Sequence, residues 1–281
     1  NGEIVEEEAA LDGAPSAPSG GGGGSSSSVS WTGATTITKS TTESNKSYSS
    51  TTDKQNALLI NTSGSVTINN PTVSKTGSGG SSDDYNFYGI NAGIMVKGGG
   101  TATISGGTIT TSANGANGVF CFGGYATTNN TETDGTTVII SDSTITTTGS
   151  SSGGIMTTGG GTTYAYNLTV TTSGQSSAPI RSDCGGGTVV VDGGIYTSSG
   201  VGSPAIYATA TITVKNATLT TTGSQAIVNE GGNTVILENC TVNAGNKNRN
   251  GQDYFNNGIF LYQSMSGDAP DGASKFSMTG G

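Results

Sequence analysis

Arg181, Asp183 and Glu230 are the residues of this 281-residue chain whose types and spacing come nearest to acid–base chemistry. Two carboxylates with a guanidinium beside them could protonate and deprotonate the atoms of a glycosidic bond. The repeat described below puts Asp183 and Glu230 in one column two coils apart, with Thr209 between them. Backbone spacing then separates them by about 9.6 Å, at the outer edge of what an inverting pair of carboxylates spans. Three features weigh against catalysis. The chain has no His and two Arg, and neither carboxylate has a second acid beside it. A polysaccharide lyase or hydrolase is therefore the least favoured reading, and no catalytic residue is assigned. Asp83, Asp84, Glu132, Asp134, Asp253, Asp268 and Asp271 sit singly in Gly- and Asn-rich insertions and fit turn positions. No segment matches an EF-hand or a nonapeptide calcium repeat, so neither metal nor cofactor is expected. Cys121, Cys184 and Cys240 form an odd set without CxxC spacing and are expected to be free thiols.

What would position such residues is a repeat. The phrase TATISGGTITT at Thr101 recurs as SVTINNPTVSK at Ser65, TTVIISDSTITT at Thr136, TTYAYNLTVTT at Thr162 and TVVVDGGIYTS at Thr188. It continues as TITVKNATLTT at Thr211 and TVILENCTVNA at Thr234, with a short copy, KFSMTGG, at Lys275. Each full copy holds two apolar residues five positions apart: Ile68/Val73, Ile104/Ile109, Ile140/Ile145, Ala165/Val170, Val191/Tyr196, Val214/Leu219 and Leu237/Val242. Period-two alternation around them specifies a strand buried on one face, and the polar tripeptide between them specifies a bend. A second phrase precedes each copy, with Leu58, Ile94, Val119, Ile155, Ile180, Ile206, Ile227 or Ile259 as its first large apolar residue. One unit is thus three short strands, and the tightest units recur about every 21 to 26 residues. That period specifies a solenoid. The expected fold is all-β: a right-handed parallel β-helix of about eight three-strand coils.

The same register names the outward columns. On the third strands it predicts a two-column threonine ladder: Thr108 and Thr110, Thr144 and Thr146, Thr169 and Thr171, Thr218 and Thr220. Rungs about 4.8 Å apart with about 7 Å between columns resemble the face of β-helical ice-binding proteins. Thr is also simply a good exposed strand residue, and Ile195 and Asn243 interrupt the array. On the first strands the outward column reads Leu59, Met95, Phe120, Met156, Arg181, Tyr207, Val228 and Phe260. An apolar stripe of that length is covered either by the same chain or by another molecule; the second case would make it an interface.

Composition agrees with a thin, regular interior: 48 Gly, 6% aromatic and 10% charged residues, and abundant Ser and Thr. Residues 1–28 differ, being an acidic stretch and a Pro/Gly/Ser linker. Ile4, Val5 and Leu11 are the side chains in it that could dock on a β-helix. Residues 29–281 form the solenoid, with 29–50 expected as an opening cap plugged by Trp31. The last copy stops before its third strand, so the helix is expected to be incomplete at its C-terminal end. Insertions are expected at 76–87, 122–135, 246–256 and 263–274, and loops on a rigid scaffold commonly carry recognition. No apolar run approaches the length of a membrane span, and a net charge of −9 makes a poor nucleic-acid binder. Asn-X-Ser/Thr triplets occur at Asn45, Asn61, Asn129, Asn167, Asn216 and Asn239; turn chemistry accounts for those at the bends without glycans.

The phrases GGIMTTGGG, SAPIRSDCGGGT, GSPAIYATATITV and FLYQSMSGDA resemble secreted Gly/Thr-rich parallel β-helix proteins of anaerobic Gram-positive bacteria, adhesin-like proteins with a pectin-lyase-like fold. The resemblance covers residues 31–281 and brings no catalytic residues. It implies a secreted, cell-surface or extracellular protein, either an adhesin or a self-assembling filament subunit. Its partners would be copies of itself or an extracellular glycan or protein. A glycan- or ice-binding role for the threonine ladder is the alternative.

Overall fold

The computed structural model describes residues 29–245, 257–263 and 268–281. The alternation in the sequence becomes short parallel strands stacked in register, the architecture of a parallel β-helix. One sheet has nine strands: Gly33–Ile37, Asn56–Asn61, Ile94–Lys97, Val119–Phe122, Ile155–Thr158, Ile180–Ser182, Ile206–Ala208, Ile227–Glu230 and Ile259–Tyr262. The second sheet has two arms joined at the bend, because Gly161–Thr172, Gly187–Ser198 and Thr211–Thr221 each run through it as one strand. Among the described residues the only helix is the single turn Asp83–Asn86, and no helix is long and apolar enough to cross a membrane.

Nine strands in the first sheet mean nine coils, one more than the repeat suggested. The additional coil is the segment expected as a cap. Gly33–Ile37 pairs with Asn56–Asn61, Thr41–Ser44 with Ser65–Asn69, and Ser47–Ser50 with Thr72–Lys75. Its copy of the repeat was hidden because Thr35 and Glu43 stand where later coils carry aliphatics. Trp31 is not a plug either, as described below. Residues 1–28, with Ile4, Val5 and Leu11, and the insertion at 246–256 lie outside the described residues.

The bend is the most regular backbone feature. At least one residue per coil adopts a left-handed conformation there; the first in each is Asn45, Asn70, Gly106, Asp142, Asn167, Gly193, Asn216, Asn239 or Gly280, all with φ between 48° and 79°. Only Gly, Asn and Asp visit this region cheaply, which is why the repeat carries those types and no others at this point. The four Asn-X-Ser/Thr triplets that fall here, at Asn45, Asn167, Asn216 and Asn239, thus have a conformational cause. Replacing Asn167 by Val should lower unfolding free energy by about 1–2 kcal/mol, whereas Asn167→Gly should change it by a few tenths. Equal losses for the two variants in urea titrations would refute the conformational account.

Inside the tube the expected rungs stack. Ile68, Ile104, Ile140, Ala165, Val191, Val214 and Leu237 are at most 1% exposed, as are Val73, Ile109, Ile145, Val170, Tyr196 and Leu219. On the first sheet Leu58, Ile94, Val119, Ile155, Ile180, Ile206 and Ile227 pair level to level and are equally buried. In the ninth coil the same positions are open, with Ile259 37% and Met278 42% exposed. No described strand lies beyond them in either sheet.

A third inward column is polar: Ser50, Lys75, Thr111, Thr147, Thr172, Ser198 and Thr221. Here the hydroxyls close the corner into the next coil. Thr111 Oγ1 donates to the Ala116 carbonyl at 2.7 Å and Thr147 Oγ1 to that of Ser152 at 2.6 Å. Lys75 Nζ donates to the Thr52 carbonyl at 2.6 Å, and burial pulls its pKa down. Glycine takes the corners where coils touch: a Cβ on Gly174 or Gly200 would stand 1.8 Å from a carbonyl oxygen of the preceding coil.

Candidate functional site

The threonine ladder lies where the register put it. Thr108, Thr144 and Thr169 pair level to level, as do Thr110, Thr146 and Thr171, and Thr218 and Thr220 continue the two columns. Thr108, Thr110, Thr144, Thr169 and Thr171 are exposed, and Thr146, Thr218 and Thr220 half-buried. Ser47, Thr72 and Ser74 extend the face toward the N-terminus, and Thr241 toward the C-terminus. Among the described residues the one side-chain hydrogen bond to a ladder threonine is Asn243 Nδ2 to Thr220 Oγ1 at 3.3 Å. The rest of this face presents hydroxyls and methyls outward on a rigid sheet. Ile195, 53% exposed, interrupts it at the sixth coil.

The apolar stripe has a different fate. Leu59, Met95, Phe120 and Met156 do point away from the tube, yet each is at most 3% exposed. With Ala92 and Phe122 they form a second apolar cluster, on which Trp31, Tyr88 and Ala126 pack. The first insertion folds back over it. Gly89, with φ 66°, lies so close that a Cβ there would be 2.6 Å from the Phe120 ring and 2.8 Å from Met95 Sδ. Thr158 Oγ1 donates to the Phe87 carbonyl at 2.7 Å, and Trp31 Nε1 to that of Tyr88 at 2.6 Å. Trp31 is therefore part of this lid and not of the tube end. The intermolecular reading of the stripe is corrected over these four coils: the same chain supplies the cover. Val228 is also buried, while Tyr207 and Phe260 are half-buried. The Phe260 ring stacks on that of Tyr262 at 4.8 Å between centroids.

The charged group continues the same outer layer. Arg181 and Asp183 are each 6% exposed and Glu230 1%. Arg181 Nη2 stands 3.6 Å from Asp183 Oδ2 and donates to Asn86 Oδ1 at 3.1 Å; Nη1 donates to Asn117 Oδ1 and to the Ser151 carbonyl, both at 3.1 Å. Burial pushes the Asp183 carboxyl up to about 7, against the opposing pull of Arg181. Glu230 accepts from the Tyr262 hydroxyl at 2.9 Å and from that of Tyr207. Burial, with Glu230 beside it, holds the Tyr207 hydroxyl well above its usual pKa. These carboxylates are enclosed and committed to internal partners, with Arg181 fastening the helical turn Asp83–Asn86 to the sheet.

Two acids of the insertions also serve the fold: Asp134 Oδ1 accepts from the Thr136 amide and hydroxyl at 2.9 and 2.7 Å, and Asp271 accepts from Gln263 at 2.8 Å. Asp53, outside the insertions, accepts from the Tyr85 hydroxyl of the first one at 2.8 Å. No cluster of metal-ligating side chains occurs among the described residues. The three cysteines are free and buried; burial raises the thiols of Cys121 and Cys184 to about 12.

One surface feature escaped sequence reasoning. The outward residues on the first arm of the second sheet include Ile139, Tyr164 and Val190 in one column and Tyr166 in the next. Tyr166 is 37% exposed. The signal was present in TTYAYNLTVTT, whose inward Ala165 forces both neighbours outward. Comparison with known proteins adds no assignment: no family model matches the chain, and neither a curated protein nor a solved structure is significantly similar to it.

Proposed function

We propose that the protein is an extracellular adhesive β-helix that presents its hydroxyl face to a glycan or protein outside the cell. One observation carries the reading: two in-register columns of threonine run along the second arm, outward and uncovered, while the apolar layer on the other sheet is closed by the chain itself. A rigid face of that kind offers repeated donors and acceptors at fixed spacing with little ordering cost. Enclosure of Arg181, Asp183 and Glu230 supports a binding role over a catalytic one. Closure of the stripe removes the most evident contact for a filament, so adhesion is favoured over self-assembly.

Beads coated with the protein should adhere to immobilised cell-surface material, and the Thr110→Lys/Thr171→Lys variant should lose at least about tenfold in retained beads. Its melting curve should match the parent, since both sites are exposed. Equal adherence of the variant removes the hydroxyl face from the reading. Ice is a second ligand for the same face, favoured by three consecutive coils, the third to the fifth, with Thr in both columns. Thermal hysteresis and faceted crystal growth are the expected results; crystals growing unshaped at millimolar protein would end it.

A further inference from the structure

We propose that Tyr164 and Tyr166 form a docking platform for a neutral polysaccharide chain, on a part of the surface separate from the hydroxyl face. The two rings lie two residues apart on the fifth coil and project outward from the first arm of the second sheet. Strand geometry spaces them by about 7 Å along the chain. Tyr164 is half-buried between Ile139 of the preceding coil and Val190 of the next. Tyr166 stands between Ser141 and Asp192. Neither phenol hydroxyl has a partner among the described residues.

The occupant follows from size, charge and chemistry. Six side chains on three coils cover on the order of 100–200 Å², against about 800 Å² per partner in a stable protein–protein interface. A folded protein would find too little here, whereas two or three sugar rings would fit. The rings supply flat apolar faces for the C–H faces of a pyranose, and the polar neighbours supply direction. Asp192 Oδ1 accepts from Asn216 Nδ2 at 2.8 Å, leaving its other oxygen available. Further along that column Lys215 is paired with Glu238 at 3.2 Å. Among the described residues the cation nearest the rings in this column is Lys215, next to Asp192, and its pairing with Glu238 leaves the three charges net negative, so a uronic-acid polymer meets net repulsion. A neutral chain meets no such barrier.

Affinity electrophoresis through gels containing hydroxyethyl cellulose, glucomannan, arabinoxylan or laminarin tests this, with polygalacturonate as the acidic comparison. At least one neutral polymer should retard the protein. Tyr164→Ala/Tyr166→Ala should weaken that retardation at least tenfold with unchanged melting, and Tyr166→Trp should preserve it. The Thr110→Lys/Thr171→Lys variant should be retarded like the parent, so failure of the hydroxyl face and failure of the platform read out separately. Lack of retardation by every neutral polymer, undiminished retardation of the double alanine variant, or retardation by polygalacturonate alone each overturns the proposal.

Discussion

Ile155→Asp should cost more than about 5 kcal/mol of folding free energy at neutral pH and open the coils on either side of it. Ile155 is 1% exposed and sits midway along the inward column of the first sheet, with Val119 on one side and Ile180 on the other. Among the described residues no cation stands in that column, so a carboxylate there would be buried without a partner or would have to be neutralised at cost. Each coil of a solenoid is held chiefly by its neighbours, so damage at the fifth coil should spread to the fourth and sixth first. Limited proteolysis should cut near residues 119–206 in the variant while the parent stays intact. Ile155→Val, which removes one methylene, should cost only about 0.5–1.5 kcal/mol. A parent-like melting curve for Ile155→Asp would refute the stacked core.

Arg181→Met should destabilise the protein by about 3–5 kcal/mol at pH 8, because it keeps the packing volume but leaves Asp183 buried without its partner. It also releases Asn86, and with it the helical turn that helps close the outer layer. The pH dependence carries a definite sign. Asp183 has its carboxyl raised to about 7 in the folded protein from an ordinary value of 3.8. Between those values the folded state holds a proton that the unfolded chain has released, so stability from this group falls as pH rises from about 4 to about 7. Arg181 is the influence that pulls Asp183 down. Without it the folded value moves higher, and the decline should persist to higher pH in Arg181→Met. Asp183→Asn should flatten the slope. Melting temperatures that fall no further above pH 7 in Arg181→Met than in the parent would contradict this account.

Much of the solenoid was legible in the chain because its determinants are local and periodic. Ile104 and Ile109 name their own orientation through alternation, and the Asn, Asp or Gly between them names the bend through its conformational preference. The first coil was missed for the same reason: Thr35 and Glu43 replace the aliphatic signal, and pairing with the second coil makes up for it. The outward orientation of the threonine ladder was readable from register alone, since alternation fixes which way each side chain points. The burial of Met95 and Phe120 was not. Whether an outward residue is exposed depends on where a distant insertion settles, and no periodicity reports that. Asp183 and Glu230 show the same limit: their shared column was visible, their enclosure was not.

The sequence by itself determined the strand register, the left-handed bends and the inward aliphatic rungs, because each of these is decided by neighbours within one repeat or at a constant offset to the next. Only the tertiary structure decided which outward columns face water. That depends on contacts between segments far apart in the chain, such as Gly89 on Phe120 and Asn86 on Arg181, whose energies come from packing and desolvation that no local pattern encodes.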